Sequence, residues 1–172
     1  MSLQILSIPP TRWQEYKNLR LEADKNDPEA FGASADELMK KNDLSWKNTL
    51  LPNPLREMIF AQMDGKLIGM IGINYETMEK VKHTAKLTSF YVTPSSRGQK
   101  VGLQLLQEAL SKIAEKAHIK KVVLSVTKSK VQAIKLYQKL DFETIGTYYD
   151  EIYHNGKYYD QIAMQKYVER NN

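Results

Sequence analysis

Two cations and two glycines within six residues, Arg97-Gly98-Gln99-Lys100-Val101-Gly102, make up the segment of this chain best equipped to hold an anion. Glycine lets backbone N–H groups come close to a phosphate, and Arg97 and Lys100 add full charges. A helix start contributes unpaired N–H groups and a partial positive charge. The spacing is not that of a Walker loop, because Gly-Lys-Ser/Thr is missing, nor that of the dinucleotide pattern Gly-x-Gly-x-x-Gly. A second segment, Ala133 to Phe142, reads as an amphipathic helix running into a strand, with Ile134, Tyr137 and Leu140 as core by default. The three histidines, His83, His118 and His154, lie far apart and show no metal-ligand spacing. The chain has no cysteine, which excludes a disulfide, a thiol nucleophile and cysteine-ligated zinc.

The elements that must position these residues follow from periodicity and punctuation. Ser2 to Ile8 reads as a first strand, and Thr11 to about Lys25 as a helix stopped by Asn26-Asp27-Pro28. Ser34 or Asp36 caps a second helix near Leu38, and Ser45 to Leu51 is a third helical piece closed by Pro52 and Pro54. Glu57 to Met63 and Lys66 to Tyr75 are strands joined by Asp64-Gly65, a strong hairpin signal. Gly69 and Gly72 in the returning strand point to close packing or a bulge. His83 to Val92 is a strand, Val101 to about Ala117 a long helix, and Lys121 to Val126 a strand buried on both faces. That strand–helix–strand order is a right-handed parallel crossover. Val131 to Leu140 is a further helix; Phe142 to His154 and Lys157 to Val168 form a hairpin about Asn155-Gly156. The expected fold is α/β: a mostly antiparallel twisted sheet with hairpins at both ends, one parallel βαβ crossover in the middle and flanking helices.

Three pieces occur in a telling order. Leu87-Thr88-Ser89-Phe90-Tyr91-Val92-Thr93-Pro94 is followed by Arg97 to Gly102, and then by Ala133-Ile134-x-Leu136-Tyr137-x-x-Leu140-x-Phe142. Together they resemble the GNAT superfamily of N-acetyltransferases, whose acetyl-CoA motif is usually Arg/Gln-x-x-Gly-x-Gly/Ala and whose next motif is usually Asn-x-x-Ala-x-x-Leu-Tyr-x-x-x-Gly-Phe. The resemblance spans roughly residues 56 to 168. Upstream, Leu19 to Ala23 and Pro28 to Gly32 resemble the start of one bacterial branch, in which this region shapes the acceptor pocket. Three positions depart from the pattern. Lys100 and Asp141 stand where glycine is usual, and Lys130 where asparagine is common. Aspartate tolerates a left-handed backbone better than most residues.

The resemblance implies direct acetyl transfer from acetyl-CoA, as cosubstrate and without a metal, to a primary amine of a small molecule or peptide. The amine must shed a proton before it attacks, the acyl oxygen needs stabilisation, and the leaving thiolate needs a proton. It assigns the cofactor to Phe90, Tyr91 and Val92 on a bulged strand, to the turn Arg97, Gly98, Gln99, Lys100, Val101 and Gly102, and to Lys130, Ala133 and Tyr137. The Tyr137 phenol would protonate the thiolate, and Phe31 would wall the acceptor pocket. The strand Leu87 to Val92 holds no carboxylate, so Glu76, at the end of the preceding strand, is the candidate general base. Tyr148, Tyr149, Tyr153, Tyr158 and Tyr159 flank the last hairpin, which in the family borders the acceptor site or a dimer interface. Cross-strand pairing explains them equally well. An acyl-CoA sensor without turnover is the rival class.

Bulk properties set the outer limits. A chain of 172 residues, 42% hydrophobic and 26% charged, suits one soluble domain over residues 1–172. No apolar run is long enough to span a bilayer, and the N-terminus lacks a signal-peptide pattern, so a cytoplasmic location and no membrane partner are expected. The net charge of +5 is scattered rather than clustered, and no nucleic-acid motif accompanies it. A homodimer is the family expectation.

Overall fold

Asp64-Gly65 and Asn155-Gly156 both take left-handed backbone angles, with φ of 48° and 83° in the first pair and 48° and 76° in the second. Positive φ at both central residues matches the twist of the flanking strands, so each dipeptide closes a tight hairpin. These two hairpins, β2 (Arg56–Met63) with β3 (Lys66–Tyr75) and β6 (Glu143–His154) with β7 (Lys157–Tyr167), occupy the two halves of one sheet. A computed structural model describes residues 2–168. Its seven strands run in the order β1-β2-β3-β4-β5-β7-β6, where β1 is Leu3–Leu6, β4 is Thr84–Val92 and β5 is Lys121–Thr127. Every pairing is antiparallel except β4 with β5, which the helix α4 (Val101–Ala114) joins by the expected crossover.

Helices cover both faces. On one side α4 and α5 (Val131–Gln138) pack on a core built around Ile59, Ile71, Leu105, Leu106, Ile113 and Val122. On the other, α1 (Trp13–Asn26), α2 (Ala35–Met39) and α3 (Asp43–Leu50) enclose Tyr16, Leu19, Leu38, Trp46, Phe60 and Met70. The cap at Ser34 forms as a reciprocal box with Glu37, and Asn42 caps α3 through the Ser45 N–H. Three expectations shift. The first turn of the N-terminal helix is a separate 3-10 turn at Pro10–Arg12, and α4 stops at Ala114 rather than Ala117. Burial along β5 alternates instead of being continuous: Val122, Leu124 and Val126 are buried, whereas Ser125 is exposed.

That exposure reports the feature that matters for function. β4 and β5 pair only over Thr84–Lys86 and Lys121–Val123 and then part. A bulge in β4 accompanies the parting. Met70 faces Tyr91 and Gly72 faces Thr88, so Ser89 and Phe90 together oppose Ile71, and Ser89 takes a φ of 53°. The extra residue reverses the facing of everything after it. Without it Leu87 and Tyr91 would share a face. With it Phe90 and Val92 join the α4–α5 side, and Tyr91 packs with α1. Gly72 serves this join, since a Cβ there would lie 2.8 Å from the Thr88 hydroxyl.

Candidate active site

Where β4 and β5 part, a cleft of about 610 Å³ opens, lined by Leu87 to Val92, Ser125 to Thr127, the turn before α4 and the inner face of α5. Its lower rim is the turn Arg97 to Lys100. From Gly98 to Leu103 no backbone N–H has a protein acceptor among the described residues. Six free donors around a helix start fit a diphosphate, and the backbone around Gly98 is open on the side its Cβ would occupy. Lys100 carries the turn into α4 with a φ of 63°, the angle at which glycine is expected. Its exposed ammonium lines the cleft and is in no ion pair among the described residues. Gly102 has a different job from phosphate contact. A Cβ there would lie 3.0 Å from the Phe90 ring and 3.3 Å from Leu136, so its absence lets α4 close on β4 and α5. Gln99 turns its side chain to the Ser95 carbonyl, 3.0 Å away, and so contributes to the turn itself.

Beyond the bulge, the backbone of β4 alternates. The Thr93 N–H reaches back to the Ile68 carbonyl at 2.9 Å, and the Val92 carbonyl turns outward to accept from Arg97 Nε at 2.9 Å. Val92 and, two residues before it, Phe90 therefore present backbone groups to the open edge. Tyr137 lines the cleft from α5, with its ring against Phe90 at 5.7 Å and Phe142 at 5.8 Å. Its hydroxyl has no hydrogen-bond partner among the described residues, and burial pushes its ionisation well above the usual phenol range. Ala133 lines the same wall, and Asp141 ends the helix with a φ of 62°, taking the left-handed turn in place of glycine.

The opposite wall comes from the segment after α1. The 3-10 turn Pro28–Ala30 leads to Phe31, which lines the cleft and stacks on the Arg20 guanidinium at 4.2 Å. Just before it, Asp27 is buried and holds two of the motif cations: Oδ2 accepts from Arg97 at 2.6 Å and Oδ1 from Lys130 at 2.6 Å. Lys130 also reaches Glu29 at 2.7 Å, and Thr127 Oγ1 donates to the Glu29 carbonyl at 2.7 Å. Burial works against the Asp27 charge, but the two cations outweigh it and hold its carboxyl below the ordinary range. For Lys130, too, burial is opposed and outweighed, so its ammonium is held above its ordinary value by Asp27 and Glu29. Of the expected residues, the cleft is lined by Phe90 to Val92, Arg97, Gly98, Lys100 to Gly102, Lys130, Ala133, Tyr137 and Phe31; Gln99 does not line it, and the charges of Arg97 and Lys130 are already engaged.

Glu76 is not brought to this site. It is exposed just beyond β3, with its N–H on the Thr84 carbonyl at the start of β4. Seven strand residues separate Thr84 from Tyr91, about 23 Å at strand rise. The hairpin that carries β3 back from β2 fixes this: the end of β3 meets the beginning of β4, not its bulge. Near the bulge stands a carboxylate that sequence spacing did not single out. Glu22 on α1 accepts from the Tyr91 hydroxyl at 3.0 Å, and Asn26 donates to the same oxygen at 2.8 Å. Burial and then the Glu22 carboxylate raise Tyr91 to about 12, against the lowering effect of the Asn26 hydrogen bond, so it stays protonated. The sequence signals for this pair were the place of Glu22 within the Leu19 to Ala23 stretch and helical spacing, since Glu22 and Asn26 lie four apart on α1. The five hairpin tyrosines do not line the cleft; Tyr153 and Tyr158 pair with each other at 4.9 Å. None of the histidines lines it either. Among the described residues no cluster of three or more metal-ligating side chains forms, and no helix is long and apolar enough to cross a membrane.

Comparison with known proteins agrees with this geometry. The family model described as "Acetyltransferase (GNAT) family" matches residues 13–142. The L-amino acid N-acetyltransferase AaaT of Escherichia coli (strain K12) is 26% identical over 127 residues, covering 73% of this chain and 76% of that one. The fold superimposes on an acetyltransferase of GNAT family from Streptococcus pneumoniae with a TM-score of 0.86 at 20% identity, over 98% of this chain and 100% of that one. A Salmonella typhimurium structure solved with its cofactor acetyl-CoA superimposes with a TM-score of 0.78 at 15% identity, over 100% of this chain and 97% of the other. The motif residues, the parted strands and the matched family model agree: the chain belongs to the GNAT family of acetyltransferases.

Proposed function

We propose that the protein moves the acetyl group of acetyl-CoA directly to a primary amine of a small molecule, with the α-amine of an amino acid as the first acceptor class to test. The observation that carries this reading is the parting of β4 and β5 above six backbone N–H groups with no protein acceptor among the described residues. Acetyl-CoA would supply an activated acyl group and a thiolate leaving group. Gly98 to Leu103 would hold the diphosphate, with the Lys100 ammonium beside it. The open edge of β4 at Phe90 and Val92 would pair with the amide-bearing arm and donate to the acyl oxygen. Tyr137 would give its proton to the departing sulfur, a role suited to a phenol that burial keeps protonated.

On the acceptor side, Phe31 offers an apolar wall. Glu22 does not itself line the cleft but accepts from the hydroxyl of Tyr91, which does, and forms no ion pair among the described residues; from there it would draw in an ammonium group and receive its proton through water. The polarity of the cleft supports this division: Lys100, Lys135 and Lys139 stand along its cofactor side. The amino-acid acceptor class rests on the kinship with the L-amino acid N-acetyltransferase. A peptide amine is the alternative acceptor. The test is free thiol release from acetyl-CoA with a panel of amino acids, small amines and peptides. Amine-dependent release is expected. Binding of acetyl-CoA with no release for any member of the panel would favour the sensor reading instead.

A further inference from the structure

Arg97 belongs to the phosphate-binding motif, yet its guanidinium faces away from the free N–H groups of the turn. It spans the Val92 carbonyl, the Tyr91 ring at 5.7 Å and the Asp27 carboxylate. Lys130 stands where the family pattern has asparagine, and it too is spent on Asp27 and on Glu29. Asp27 is thus a buried junction between three pieces of the fold that meet nowhere else in this way: the end of β4, the start of α5 and the segment that carries Phe31. Three of the side chains involved are firmly seated, with 12% exposure at Asp27, 18% at Glu29 and 25% at Lys130, while Arg97 reaches Asp27 from a half-exposed position. Thr127 adds a second tie from the end of β5 to the Glu29 carbonyl, and this hydroxyl-bearing residue is 2% exposed. The acceptor wall is therefore anchored to both lips of the parted sheet.

We propose that Asp27 is a positioning residue for the acceptor: through Arg97 and Lys130 it fixes the Phe31 wall across the cleft, and these two cations hold that wall rather than the diphosphate of the cofactor. This inference rests on the acetyltransferase reading of the same cleft. It divides the motif by chemistry. The backbone of Gly98 to Leu103 and the free Lys100 serve the cofactor, while Arg97 and Lys130 serve acceptor geometry.

The test measures two quantities on the full chain for wild type, Asp27→Asn, Arg97→Gln, Lys130→Asn and Lys130→Arg. One is the acetyl-CoA dissociation constant by calorimetry. The other is the acceptor concentration at half-maximal rate, with an equimolar mixture of the proteinogenic L-amino acids as acceptor. Arg97→Gln and Lys130→Asn should raise the acceptor constant by about tenfold while acetyl-CoA affinity changes by less than about threefold. Lys130→Arg should restore most of the loss. Should Asp27→Asn fail to fold, the two cation variants still decide, because each leaves Asp27 with one partner. Arg97→Gln that weakens acetyl-CoA by about tenfold or more, with the acceptor constant unchanged, overturns the proposal. Wild-type protein that binds no acetyl-CoA overturns the acetyltransferase reading and this inference together.

Discussion

Tyr137 ends α5 with a ring locked between Phe90 and Phe142 and a hydroxyl that no described protein group takes up. Because burial keeps the phenol protonated well beyond neutral pH, it can act as a donor throughout the working range, and its own ionisation will not shape the alkaline limb of the rate profile. Tyr137→Phe keeps the ring packing and removes only the proton. It should lower kcat by about 10²-fold, with the acetyl-CoA dissociation constant nearly unchanged. Steady-state kinetics beside calorimetry checks both halves of that statement. In the proposed mechanism Glu22 carries the complementary role. Glu22→Gln retains a hydrogen-bond acceptor for Tyr91 but loses the charge, so kcat/KM should fall by about tenfold or more. An unchanged kcat/KM would return Glu22 to a purely structural partner of Tyr91.

The elements around these residues act through two departures from regularity, the bulge at Ser89–Phe90 and the missing side chain at Gly102. Gly102→Val would push branched atoms into Phe90 and Leu136. Overpacking of this kind should destabilise by about 2 kcal/mol, and the melting temperature should fall by about 6 °C. Acetyl-CoA affinity should drop with it as α4 moves off β4. Thermal melts with and without acetyl-CoA measure both effects. Much of this scale was legible beforehand. Dipeptides with two positive φ angles announced both hairpins, and the apolar stripe from Val101 to Ile113 announced α4 and hence the crossover. Residue type offered Ser34 or Asp36 as the cap of α2, and the structure selects Ser34, adding a reciprocal box with Glu37 that was not read from the sequence. The bulge was legible only through family resemblance, because Ser89 and Phe90 carry no local mark of an inserted residue. Glu76 failed for a related reason. Adjacency in sequence to a catalytic strand says nothing about which end of that strand an antiparallel neighbour meets. The Asp27 junction was invisible because its partners lie 70 and 103 positions away.

Across the whole molecule, one wall of the parted sheet, the proposed cofactor side, carries Lys100, Lys135 and Lys139, in no ion pair among the described residues, and on the other, cations are neutralised by Asp27 and Glu29. The junction also contributes stability with a defined pH dependence. The folded carboxyl of Asp27 lies below its unfolded value, so its contribution is complete above the ordinary carboxyl range and is lost as pH falls through the folded value. Asp27→Asn should therefore melt about 6 °C lower than wild type at neutral pH, reflecting about 2 kcal/mol for hydrogen bonds to charged groups. The gap should begin to close as pH drops below about 4, where the free carboxyl titrates, and vanish only as pH passes below the lower folded value. Melting curves from neutral to acid pH decide this, and a gap that persists in acid would remove the ionic account. The claim on which the rest depends is that acetyl-CoA lies in the parting between β4 and β5. A crystal structure of the protein with acetyl-CoA measures it directly. The account predicts the diphosphate on the N–H groups of Gly98 to Leu103, the amide-bearing arm along Phe90 and Val92, and the sulfur within hydrogen-bond reach of the Tyr137 hydroxyl. Ordered acetyl-CoA anywhere outside that cleft would contradict it.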